Sequence, residues 1–70
     1  MGLRFFFYSN DHEPIHVNVS SKEGEAKFQI DPIILIENHG IKPTELKNAE
    51  VAIEENREVI VERWNEYFKN

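Results

Sequence analysis

The sequence predicts an α+β domain: a three-stranded antiparallel β-meander followed by two α-helices, in the order βββαα. Three observations predict it. Short segments up to Ile30 alternate apolar and polar residues, the period of a half-buried strand. Beyond Pro43 the apolar residues recur at three- and four-residue steps, the period of a helix. Between these segments stand compact turn sequences rather than linkers, so connections are short and successive strands pair.

The first strand is Arg4-Phe5-Phe6-Phe7-Tyr8, aromatic and closed by Ser9-Asn10-Asp11. It is apolar on both faces and should be covered on both. Pro14 limits where the second strand begins. From Ile15 to Ser20, Ile15, Val17 and Val19 point one way and His16, Asn18 and Ser20 the other. Ser21-Lys22-Glu23-Gly24 is the next turn. The third strand, Glu25 to Ile30, puts Ala26, Phe28 and Ile30 inward and Lys27 and Gln29 outward. All three strands fall within residues 3–30.

Asp31-Pro32 then reads as a helix start, with Asp as cap and Pro at the first helical position. Gly40 reads as the stop. This predicts a helix over about residues 32–39, with His39 at its C-terminal end. The competing assignment is a strand, because Ile33, Ile34 and Ile36 are β-branched. Pro43 opens a second helix, over about 43–68, whose apolar face carries Leu46, Ala49, Ile53, Ile60, Trp64 and Tyr67. Asn56 fills one slot of that face, either buried with partners or marking a bend near Glu54-Glu55-Asn56. The opposite face is charged, as solvated helices are.

Seventy residues and 8.3 kDa fit a single small domain, residues 1–70. Five Phe, two Tyr and one Trp in a chain that is 40% hydrophobic exclude a disordered chain. No apolar run spans a membrane, and the N-terminal segment turns polar too soon for a signal peptide, so a cytoplasmic protein is expected. The net charge of −5 argues against a general phosphate-binding surface. Apolar burial of about 110 kcal/mol against roughly 105 kcal/mol of ordering entropy leaves almost nothing. With no cysteine there is no disulfide to help. Tight packing or association must supply the margin, and an uncovered face on the aromatic strand makes association the expectation.

The chemistry-bearing patch is Asn10-Asp11-His12-Glu13-Pro14-Ile15-His16-Val17-Asn18. It sets His12 in the turn of a hairpin, and His16 and Asn18 on the polar face of the following strand. Two neighbouring imidazoles suit general acid–base work near neutrality, including phosphodiester cleavage of the ribonuclease type. Arg4, Tyr8 and Lys27 on adjoining strands would then meet a phosphate. A metal site from His12 and His16 with Asp11 or Glu13 is the second reading, and Asn18 is a poor ligand for it. The plain alternative is a turn whose histidines stand beside Asp and Pro without chemistry. No nucleophilic cysteine, glycine-rich phosphate loop or cofactor motif is found, so no cofactor is expected. Trp64, Tyr67 and Phe68 read as core, or as an aromatic anchor for a partner.

These residues, from Phe5 through Val19, with Gly24 to Phe28, Asp31-Pro32 and Glu55 through Phe68, resemble the small bacterial proteins classed as domain of unknown function 4160. The resemblance covers nearly the whole chain. It implies a hairpin with three histidines around a proline pair. His12 and His16 match the first two histidines; Ile15 stands at the second proline and Asn18 at the third histidine. An amide keeps hydrogen bonds but cannot shuttle a proton. The resemblance also implies a gene neighbour encoding a second small protein, an arrangement like a toxin–antitoxin module. The expected function is therefore one component of such a module, a histidine-dependent toxin directed at RNA. The alternative is a non-enzymatic module that binds a small cognate protein by an exposed strand edge or the acidic helix. Expected partners are a cognate small protein or a second copy in a homo-oligomer, with RNA as the substrate class and no membrane.

Overall fold

The computed structural model describes residues 2–8 and 14–68. Four strands are followed by two helices: β1 (Arg4–Phe6), β2 (His16–Ser20), β3 (Glu25–Ile30), β4 (Ile33–His39), α1 (Pro43–Glu55) and α2 (Arg57–Tyr67). The strands form one antiparallel sheet in the order β1-β2-β3-β4. The α+β class stands, with one correction: the sheet has four strands, not three, and the segment expected as a helix over 32–39 is β4.

The reason lies in what Asp31-Pro32 does. These two residues, joined by a cis peptide bond, form the turn that pairs Ile30 with Ile33. The same dipeptide that can start a helix here closes a hairpin. The β-branched run that follows then pairs with β3 along one side and leaves its other side as the sheet edge. His39 consequently ends a strand rather than a helix, and its Nε2 lies 3.3 Å from the Glu37 carboxylate.

Gly40, at φ +99°, turns the chain out of β4. Its neighbour across space is Gly24, in the β2–β3 turn. A Cβ on Gly24 would lie 1.8 Å from the carbonyl oxygen of His39, and one on Gly40 would lie 2.6 Å from that of Glu23. Backbone touches backbone there, which only residues without a Cβ permit. Asn38 secures the exit from β4: its Oδ1 accepts from the Ile41 N–H, and its Nδ2 donates to the Ile41 carbonyl, both at 3.0 Å. Lys42, 3.2 Å from the Glu23 carboxylate, adds an exposed ion pair across the same junction.

The expected long helix is broken where the sequence placed a bend. Asn56 leaves helical geometry at φ −118°, ψ 21°. Its N–H reaches back to the carbonyls of Ala52 and Ile53, and its Nδ2 donates to Ala52 at 2.8 Å. Asn56 is exposed, so it marks the break and does not fill a buried slot. The core joins Val17, Val19, Ala26, Phe28 and Ile30 of the sheet to Ile41, Ala49 and Ile53. Leu46, Ile60 and Val61 pack against it. The inward residues of β2 and β3 and most of the predicted helix face are thus confirmed. Tyr67 is the exception, 53% exposed. Among the described residues no helix is long and apolar enough to cross a membrane.

Candidate functional site

Strand alternation sets the site. The register aligns Phe6 of β1, Asn18 of β2, Lys27 of β3 and Glu37 of β4 in one row, with Arg4, Ser20, Glu25 and His39 in the row two residues away. His16 and Gln29 stand opposite each other two residues to the other side. By pleat, these residues share the sheet face opposite Val17, Val19, Ala26 and Phe28.

On that face His16 and Asn18 are both buried, at 7% and 3% exposure. Nδ1 of His16 lies 2.9 Å from the carbonyl oxygen of Pro14, which can only accept, so Nδ1 carries the proton. In the neutral ring the lone pair then sits on Nε2, which is itself buried. The ring packs against the Trp64 indole with centroids 5.2 Å apart, and Trp64 also meets Phe7 edge-on at 5.4 Å. One aromatic of α2 thereby ties the start of β2 to the end of β1.

Asn18 donates from Nδ2 to the carbonyl of Phe6 at 3.3 Å. Tyr8 meets the Phe6 ring edge-on at 5.1 Å, while its hydroxyl donates to the Glu25 carboxylate at 3.1 and 3.2 Å. Phe6 belongs to β1 and Glu25 to β3, so the Tyr8 side chain reaches across β2 to join them.

Residues 2–65 of the chain match the family described as Domain of unknown function (DUF4160). The chain belongs to this family. Comparison with curated proteins and with solved structures finds no match. The family match includes β1 to β4, α1 and most of α2, and stops just before Glu66-Tyr67-Phe68.

Within this family member the sequence-derived candidates separate into groups. His12 lies outside the described residues, as do Asp11 and Glu13. His16 and Asn18 lie on one strand face, with Lys27 directly beside Asn18 on β3. Arg4 is on the same face but on the far side of β2 from Lys27. Strand spacing and rise put their Cα atoms about 12 Å apart. Carboxylates accompany both cations: Glu25 lies in the Arg4 row and Glu37 in the Lys27 row. The Tyr8 hydroxyl is likewise engaged with a carboxylate. Among the described residues, no three His, Cys, Asp or Glu side chains are grouped so as to hold a metal ion.

Two features were not legible from sequence. Alternation placed His16 and Asn18 on a polar face, which reads as solvated, yet both are buried. The aromatic series Phe7, Trp64, Tyr67 and Phe68 signals a packing cluster, but nothing in its spacing shows that His16 joins it.

Proposed function

We propose that this chain works by binding another small protein, as one half of a two-protein module of the toxin–antitoxin type. The observation that carries this reading is the uncovered apolar surface at both edges of the sheet. Phe5 is exposed at the β1 edge, and Ile34, Leu35 and Ile36 at the β4 edge. Edges of this kind pair with other chains unless something covers them. The gene neighbour implied by the family resemblance supplies a candidate for that cover. Co-expression with the neighbouring small protein tests it. A stable complex at fixed stoichiometry is expected, and two proteins that elute separately at micromolar concentration would end the reading.

A second reading, histidine-dependent action on RNA, is favoured by the grouping of His16, Asn18 and Lys27 on one face. It predicts that regulated expression arrests growth, and that His16→Asn abolishes the arrest while the protein stays folded. Arrest unchanged in both His16→Asn and His12→Asn would remove the histidines from any such activity.

A further inference from the structure

The groove that runs between β1 and α2 holds about 490 Å³. Phe5, Phe6 and Phe7 line one wall, and Val59, Arg63 and Tyr67 line the other. Successive residues of a strand project to opposite faces. Val17 of β2, on the core face, lines the groove too, so it opens between that face and α2, beside the outer edge of β1 with its backbone N–H and C=O groups. Among the described residues β1 pairs only with β2, so no strand occupies that edge. A second hollow, which shares Phe5, Val59 and Ile60 with the first and reaches Ala52, continues the groove toward the helix break. α2, from Arg57 to Tyr67, rises about 15 Å, the length of a strand of about four or five residues.

Charge selects the occupant. Phe5, Val59 and Tyr67 give the groove an exposed apolar lining. Glu62 and Glu66 follow Val59 at three- and four-residue steps along the solvent side of α2, and both are exposed. Arg57 is 3.4 Å from Asp31, away from this rim. From Pro43 to Tyr67, seven glutamates stand against Lys47, Arg57 and Arg63, so this segment accounts for −4 of the net −5. Arg63 lines the groove beside Glu66, and the surplus of carboxylates around that pair favours a basic occupant over an acidic one.

We propose that the groove receives an extended, basic segment of the partner protein, which adds a fifth strand along β1. Its apolar residues lie beneath α2, and its flanking lysines or arginines face Glu62 and Glu66. Main-chain pairing supplies the register and the apolar lining supplies the side-chain pockets. This deepens the two-protein reading above by naming the surface and the chemistry of the partner, and it rests on that reading for the partner's existence.

The test uses the full chain and a short peptide of alternating lysine and valine, with binding followed by calorimetry. The peptide is expected to bind, and Val59→Arg to weaken it at least about tenfold, a loss of roughly 1.4 kcal/mol. The double variant Glu62→Gln/Glu66→Gln, altered only at exposed positions, should weaken it severalfold. Val51→Arg, an equally simple change at an exposed site on α1, should leave it unchanged. N-methylation of alternate peptide nitrogens should abolish binding. Equal binding of a glutamate–valine peptide, of the N-methylated peptide, or of the parent peptide to Val59→Arg would overturn the proposal. In the co-expressed complex, Val59→Arg should release the partner and Ile34→Arg should not. A complex that survives the first change and is lost with the second overturns the groove and keeps the two-protein reading. Peptide binding without any complex does the reverse.

Discussion

β1 and β4 both end the sheet, but they are held in place by different means. β1 has three residues and is anchored by side chains: Phe7, just beyond it, packs against Trp64, Tyr67 and Phe68 at centroid distances of 5.4, 5.8 and 6.2 Å. β4 has seven residues and is anchored mainly by backbone, with a two-residue turn at one end and the Gly24–Gly40 contact and Asn38 hydrogen bonds at the other. Its apolar side chains are mostly left out, with Ile34, Leu35 and Ile36 each more than 40% exposed. The pairing of Lys27 with Glu37 and Phe28 with Leu35 passes over Ile36, so β4 also carries a bulge. Bulges twist an edge away from indiscriminate pairing. Hydrophobic residues thus secure one edge and merely decorate the other, so substituting apolar residues should destabilise the first and leave the second nearly unchanged.

The largest effect is expected at the β1 anchor. Trp64→Ala removes a buried indole that touches both Phe7 and His16, and should cost roughly 3–5 kcal/mol of stability. Chemical denaturation measures it; a loss under about 1 kcal/mol would mean that α2 does not hold this edge. Gly24→Ala acts on the other anchor. Its new methyl would collide with the His39 backbone, which has no flexible end to move aside, so a loss of about 2–3 kcal/mol is expected. Amide exchange should show the loss first in β4, and an unchanged melting temperature would refute the backbone contact. The smallest effect belongs to Ile34→Lys. At an exposed edge it should alter monomer stability by no more than about 0.5 kcal/mol. A loss several times larger would show that something already covers β4.

The same contrast explains what could be read beforehand. β2 and β3 were legible because Val17, Val19, Ala26, Phe28 and Ile30 keep strict alternation and each meets the core it implies. The helix break was legible because Asn56 interrupts an apolar face. β4 was not, since its inward and outward positions are all apolar in Ile33 to Ile36 and give no period. With periodicity silent, Asp31-Pro32 and Gly40 carried the assignment, and both serve hairpins as readily as helices. At the candidate site, alternation correctly put His16, Asn18, Lys27 and Arg4 on one face. Burial of the first two depends on Trp64 and on contacts between distant parts of the chain, and no local pattern encodes that.

The break at Asn56 has a consequence beyond bending. A single rod from Pro43 to Tyr67 would run about 37 Å and keep one heading over the sheet. Divided, the rod becomes two short levers. α1 lies against β4, while α2 packs Ile60 and Val61 against the core and Trp64 against Phe7. The helical wall of the groove beside β1 then comes from α2 alone, across the joint from Ala49 and Ile53 in the core. A single asparagine thus divides the helix that builds the core from the helix that walls the groove.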